Sequence, residues 1–459
     1  MRGLWSTIGL VAVAAGLGAY IYFVDAGRSD TEAKEKLFTV AADDVEELKV
    51  VAKGDTTVLK KTDGTWRLVE PVATEADQND VTSLLGSLTG LEINREVDPK
   101  ATDLAQYGLS SPKADITFTA KGGVTGRVRL GDQTPTGSDL YAVKDDGGRV
   151  VLVSTFVETN LARSTFELRD RRVLHFERDK ADGLEITNAK GTTVLTRSNS
   201  DWRVTAPATA RGDYGAIEGL LTRLSTASMS GIEATSPDGL EKYGLDTPVS
   251  TVVVKTGSSS ATLAVGAEAD GKTYARDLSR PLVFTIDNTL AGDAAKGADD
   301  YRKQELFDFR SFSARQLVMT RGAETFTLKK VKGADNVPDK WTLTTGGATR
   351  DADTSKMEDM LAKLSNLRAD GFVGAAPATA APILKVSVEF DEDKKEEASV
   401  GRAGTDHFGT RPDETGAMRL TAPAIEELMT AIDAVLAPPA PAPPATAAGA
   451  AAATPEKKP

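Results

Sequence analysis

The chain has 459 residues, 40% hydrophobic and 27% charged, ordinary proportions for a protein that buries cores and length enough for about three domains. Its formal charge of −12 argues against a nucleic-acid partner held through phosphates. The absence of cysteine excludes disulfides, thiolate catalysis, zinc–cysteine sites, iron–sulfur clusters and an acylated lipoprotein N-terminus, and two histidines, His175 and His407, leave little for acid–base or metal chemistry near neutral pH.

Leu4 to Val24 is an uncharged, apolar stretch of 21 residues. As a helix it spans about 31 Å, the thickness of a bilayer's hydrocarbon core. Trp5 lies at one end and Tyr20, Tyr22 and Phe23 at the other, where amphipathic rings favour the interface. Arg2 precedes the stretch, while Asp25, Arg28 and Asp30 follow it with little net charge, which predicts the N-terminus inside and the rest of the chain outside. A cleaved signal peptide is the alternative, since Gly16, Gly18 and Ala19 supply small residues near a cut; its apolar core is usually shorter. Residues 1–28 are therefore read as a membrane anchor with flanks and 29–44 as a linker.

Beyond the linker one unit of about 135 residues recurs three times, at 45–178, 179–314 and 315–436. Trp66, Trp202 and Trp341 follow one another at 136 and 139 residues, each just after a turn. Tyr107-Gly108-Leu109 returns as Tyr243-Gly244-Leu245, and Gly131, Gly266 and Gly401 are evenly spaced. Pro112, Pro248 and Pro382 keep the same period, and Glu167-Leu168 with Asp170 resembles Glu305-Leu306 with Asp308. Within a unit, short alternating runs before each tryptophan predict a β-meander. An aspartate then opens a helix: Asp77 before Val81, Leu84, Leu85 and Leu88; Asp213 before Ile217, Leu220, Leu221 and Leu224; Asp353 before Met357, Met360, Leu361 and Leu364. The apolar spacing lays one face of each helix on a sheet. Further strands follow, such as Ile116–Phe118 and Val128–Leu130, which predicts a second antiparallel sheet per unit. The third unit is degenerate: GFVGAAPATAAP replaces the Tyr-Gly-Leu loop. The fold class is thus α+β, a transmembrane helix followed by three tandem repeats. From Ala437 the chain is Pro/Ala-rich with nothing to bury, so 437–459 reads as a disordered tail.

Several motifs imitate chemistry. Gly266 to Thr273 matches a phosphate-binding loop, but that loop needs a helix after it, and Thr273-Tyr274-Ala275-Arg276 continues as a strand. Ser110 to Lys113 and Lys255-Thr256-Gly257 match signatures of penicillin-binding serine enzymes, yet Pro112 sits inside the first and no S-D-N element accompanies them. Neither histidine has a partner at ligand spacing, and His407 falls near the place of Tyr141 and Tyr274. The acidic run Asp391-Glu392-Asp393 and the pair Glu396-Glu397, with Lys394 and Lys395 between them, read as a solvated hairpin. The three tryptophans open alternating strands, the place of a core aromatic, with carbohydrate stacking as the competing role. No catalytic, cofactor-binding or metal-ligating residue is assigned.

Taken together, the LKV run, DGTWRLVEP, the Asp-capped helix, DLAQYGL, LGD, YAV and FELRDRRVL resemble the bacterial domain-of-unknown-function family DUF4340, well over residues 45–310 and weakly after. That resemblance implies an accessory role beside an export complex, since members are often encoded beside gliding-type ABC transporters, and it supplies no catalytic residues. The expectation is a non-enzymatic scaffold in the bacterial cytoplasmic membrane, held by residues 4–24, with its bulk periplasmic and an ABC permease or ATPase as partner. The alternative is a repeat protein that binds glycan or peptidoglycan in grooves between repeats.

Overall fold

The computed structural model describes residues 34–334, 338–391 and 394–438. The expected anchor at 1–28 and the tail from Pro439 onward lie outside the described residues, and so do Glu392 and Asp393. Among the described residues no helix is long and apolar enough to cross a membrane. The chain divides into two compact units, residues 1–172 and 173–459.

The first unit holds one nine-stranded antiparallel sheet: β1 (Val45–Ala52), β2 (Asp55–Thr62), β3 (Thr65–Glu70), β4 (Thr74–Glu75), β5 (Arg95–Asp98), β6 (Ala114–Ala120), β7 (Val124–Gln133), β8 (Asp139–Lys144) and β9 (Val150–Ser154). Their spatial order is β4-β3-β2-β1-β6-β7-β8-β9-β5. The second unit holds two sheets of nine strands in the same order, between Gly183 and Ile286 and between Ala314 and Leu420. Three tandem copies are present, and the expected pair of sheets per copy is corrected to one. Strand β1 joins the two halves, for Leu48 faces Leu59 on one side and Phe118 on the other. Leu184 and Leu317 sit the same way between Leu195 and Val254, and between Leu328 and Val388. Alternation identifies a strand but not its neighbours. A β1 paired on one edge only would leave a row of backbone donors and acceptors open.

Each helix forms where its pattern places it. Asp77 accepts from the backbone N–H groups of Asn79 and Asp80, Asp213 from Ala216, and Asp353 from Ser355 and Lys356. All twelve apolar residues of the three stripes are buried against their sheets. Each such side chain contributes roughly 1.5–3 kcal/mol. Trp66, Trp202 and Trp341 lie in the same cores at 4%, 2% and 4% exposure, so they are packing residues and not a stacking platform.

The Tyr-Gly-Leu segment covers the opposite face. Strand β9 is buried at Val150, Val151, Leu152 and Val153, on both of its faces, because Leu109, Tyr107 and Tyr141 pack with Val143 and Val150 behind it. Gly108 turns the chain at φ 70°, and Gly131 lies so close beneath that a Cβ there would stand 2.1 Å from the Tyr107 carbonyl oxygen. Gly244 and Gly266 repeat the arrangement, at φ 65° and 2.2 Å from the Tyr243 oxygen. In the third repeat Gly401 has its nearest neighbour at 3.4 Å.

Two further details depart from the sequence reading. The first repeat reaches back before Val45, with Leu37 and Phe38 buried in its core and Leu37 N–H donating to Leu91 O at 2.8 Å. Glu167-Leu168-Asp170 and Glu305-Leu306-Asp308 are also not equivalent. Asp77 N–H donates to Leu168 O as Asp213 N–H donates to Tyr301 O, so Tyr301 is the counterpart of Leu168. Leu306 instead opens the third repeat, donating to Leu367 O as Val173 does to Ala227 O. A shared four-letter phrase carries less information than one backbone ladder.

Candidate functional site

The second and third repeats share the connector 301–309. Its first half extends the second sheet, with Arg302 bridging Gly212 and Lys303 N–H donating to Arg211 O at 2.9 Å. Its second half belongs to the third repeat, with Glu305 bridging Arg368 and Ala369 N–H donating to Gln304 O at 2.9 Å. Extended backbone that serves two repeats leaves side chains pointing alternately toward each, and charged residues converge there.

Arg211, 8% exposed, donates from Nη1 to Asp308 at 2.8 Å, from Nη2 to the Glu305 carbonyl at 2.7 Å, and from Nε to Glu414. Arg411, its side chain 6% exposed, donates from Nη1 to Glu396 and to the Leu306 carbonyl, each at 2.9 Å, and from Nε to Asp413 at 3.0 Å. Glu396 also accepts from the backbone N–H groups of Asp308 and Phe309, both at 2.9 Å. Lys303 pairs with Asp308, and Arg302 stacks on the Phe372 ring at 4.0 Å. Thr415 N–H donates to Thr209 O at 2.7 Å, closing the seam. Glu396, expected on a solvated hairpin, is therefore corrected: its strand turns it inward, and Arg411 supplies the charge that makes burial tolerable. Lys394 keeps the expected surface role, paired with Asp391 at 3.1 Å.

The electrostatics are those of a strut. Burial pushes the Asp308 carboxyl up, but the Arg211 and Lys303 charges outweigh it and hold it below the usual carboxylate range. Asp413 behaves alike: burial is the largest single influence and raises it, but the hydrogen bond and charge of Arg411, with the Arg211 charge, together bring it below the ordinary value. Burial disfavours the Arg411 cation, yet Glu396 and Asp413 raise its pKa above the ordinary value. Such an arrangement sets each of these charges against a partner of opposite sign.

Beside the seam lies a cleft of about 970 Å³ whose walls include Arg203, Arg211, Tyr214, Lys303, Phe312 and Asp413. Tyr214 and Phe312 are 57% and 72% exposed. Tyr214 is the first residue of the helix capped by Asp213, and Phe312 stands in the turn Ser311–Ser313 before the third sheet. A second cleft of about 1080 Å³ adjoins it at Phe312 and Phe390, with Arg315, Lys329 and Lys332 along it. Neither aromatic ring was singled out from sequence. The only available signal is a large apolar ring next to a polar cap or turn, which core residues share.

The motif residues fall elsewhere. Gly266 to Thr273 is a hairpin, turning at Asp270 and Gly271 with φ 54° and 72°, and Lys272 pairs with Glu233 at 3.5 Å. Ser110 is exposed, while Lys113 pairs with Glu158 at 2.9 Å. Lys255 belongs to a different sheet, where it faces Glu185 at 3.2 Å. His175 lies 3.8 Å from buried Asp277, whose carboxyl is pushed up by burial but brought down to about 2 by His175, Ser279 and Arg280. His407 is 7% exposed. The ladder places Phe408, not His407, opposite the residue equivalent to the partners of Tyr141 and Tyr274: Gly409 meets Val400 as Ala142 meets Leu130 and Ala275 meets Val265. That single step moves His407 to the core face.

Two solved structures align with the chain, the DNA polymerase III subunit beta from Borrelia burgdorferi in complex with a natural product and the DNA polymerase sliding clamp from Pseudomonas aeruginosa with ligand. Each covers 84% of this chain and 93% of its own at 8% identity, with TM-scores of 0.15 and 0.14, too low to establish a shared fold. No curated protein matches the chain. The family described as Domain of unknown function (DUF4340) matches residues 66–201 and 202–385, each match starting on a buried tryptophan. With two repeated matches spanning most of its length, the chain belongs to the DUF4340 family.

Proposed function

We propose that this protein is a non-enzymatic scaffold, anchored in the bacterial cytoplasmic membrane by residues 4–24, that carries its repeats outside the membrane as the accessory of an ABC transporter. The observation that carries the reading is the seam around Arg211 and Arg411, where both arginines and their carboxylate partners Asp308, Glu396 and Glu414 are consumed in holding two repeats together. The hairpin setting of Lys272 and the pairing of Lys113 and Lys255 point the same way. The transporter partner rests on the family resemblance. Crosslinking of the full-length protein in its membrane, followed by mass spectrometry, tests it. Permease or ATPase subunits are expected, and they should disappear when Leu4 to Val24 is replaced by a cleavable signal. Their absence from the native sample refutes the transporter role.

A glycan-binding reading has one observation in its favour, the exposed rings of Tyr214 and Phe312 on one cleft. Rings of that kind stack on sugar faces, and the polar walls suit hydroxyl groups. On this reading the full-length protein cosediments with cell-wall material and the Tyr214→Ala, Phe312→Ala double variant does not. Equal sedimentation of both removes the cleft from consideration.

A further inference from the structure

At one end of the third sheet, strands Ala381–Phe390, Lys394–Ala403 and Asp406–Thr410 and the helix Ala422–Leu436 border a pocket of about 570 Å³. That is the size of small-molecule sites, roughly 300–1,000 Å³. Pro382, Ile383, Ile425 and Met429 make it apolar, and Arg321, Arg402, Glu426 and His407 bring polar groups to it. Arg321 is held by Asp433. Arg402 donates from Nε to the Gly404 carbonyl at 2.7 Å, and its terminal nitrogens carry no hydrogen bond among the described residues. The His407 ring is buried, and its Nδ1 has no hydrogen-bond partner among the described residues. Burial, then the Arg402 charge, pushes its pKa below the ordinary value, which favours the neutral ring. An unserved buried nitrogen carries a desolvation penalty that a core position filled only for packing would avoid.

Comparison with the first repeat shows what has been exchanged. Leu384 pairs with Val400 as Ala114 pairs with Leu130, so Ile383 stands where Lys113 stands. In the first repeat Lys113 donates to Glu158 at 2.9 Å and Gln133 donates to the same carboxylate at 3.1 Å, a polar strut across the sheet end. Leu140 pairs with Gln133, whereas in the third repeat His407 pairs with Arg402. The strut has been replaced by an apolar wall, and a core leucine by an imidazole beside an arginine.

We propose that this pocket binds a small amphipathic anion, a short-chain carboxylate whose hydrocarbon lies on Ile383, Ile425 and Met429 and whose head meets Arg402 and His407. The site is independent of the scaffold reading, since it needs neither a membrane nor a transporter. The unserved guanidinium end of Arg402 and the unserved His407 Nδ1 favour an anion, and a cationic head drawn by Glu426 is the competing outcome.

The test is photolabelling of the full-length protein with a diazirine analogue of octanoate, with adducts mapped by mass spectrometry. Adducts are expected on the peptides carrying Ile383, Ile425 or Met429, competed by octanoate and not by octyltrimethylammonium. Arg402→Glu, a change on an exposed side chain, should lower labelling about fivefold or more, the equivalent of roughly 1 kcal/mol. Ile383→Lys, which installs the first repeat's residue, should abolish it while the urea midpoint stays near wild type. Adducts elsewhere or none, equal competition by the ammonium, or undiminished labelling of Arg402→Glu each overturns the assignment.

Discussion

Gly131, Gly266 and Gly401 occupy one position in three copies of a sheet, and their alanine variants should behave differently. A Cβ at Gly131 would stand 2.1 Å from the Tyr107 carbonyl oxygen and at Gly266 2.2 Å from the Tyr243 oxygen, with Leu109 and Leu245 side-chain carbons next at 3.1 and 2.9 Å. Ordinary contact needs more than 1 Å of further separation, and the obstacle is backbone that a left-handed glycine, Gly108 or Gly244, holds in its turn. Overpacking of this kind typically costs 1–3 kcal/mol, and a rigid backbone neighbour puts both sites near the upper end. At Gly401 the nearest atom is the Ala381 oxygen at 3.4 Å, so Gly401→Ala should cost no more than about 0.5 kcal/mol. Each sheet buries its own tryptophan, so urea titrations of variants that lack Trp5 and keep one of Trp66, Trp202 or Trp341 report each repeat separately. With a urea dependence of about 1–3 kcal/mol/M, a loss near 3 kcal/mol moves the midpoint by about 1 M or more. Equal midpoints for Gly266→Ala and Gly401→Ala would falsify the account of the Tyr-Gly-Leu segment as a plug.

Other outcomes follow from the seam and the caps. Arg411→Met strands the Glu396 carboxylate, which is 4% exposed, with only its two backbone donors, and should lower the stability read by Trp341 by about 3 kcal/mol. Adding Glu396→Gln to that variant should recover part of the loss, and a simple sum of the two single effects would show that the pair is not coupled. Asp277 carries a pKa of about 2 against an ordinary 3.8. The unfolded chain therefore binds the extra proton first, so the stability Asp277 contributes is present above about pH 4 and is lost as pH falls through about 2. Acid titrations of the wild type should lose about 2 kcal/mol more across that window than Asp277→Asn, and parallel curves would contradict the assignment. Asp213→Ala leaves the Ala216 N–H without its cap and should cost about 1 kcal/mol by urea titration. A change under a few tenths would mean that water replaces the cap at no cost.

The three copies, their helices, the capping aspartates and all twelve inward-facing helix residues were legible in sequence, because a one-dimensional period reports local geometry: 3.6 residues per helical turn, two per strand. The burial of the tryptophans was legible for the same reason. Pairing was not. Whether Leu48 is bordered by Phe118 depends on backbone ladders between segments some 70 residues apart, and no local pattern records them. The same limit hid the inward turn of Glu396, which alternates like any hairpin residue and is buried only because Arg411 and the connector backbone arrive beside it. It also hid the exposure of Phe312 and Tyr214, whose sequence settings do not differ from those of core aromatics. The sequence by itself determined the repeated unit and the inward face of each helix, since both follow from spacing along the chain. The tertiary structure alone decided the single continuous sheet, the charged seam and the pocket around His407, since each depends on which distant segments meet in space.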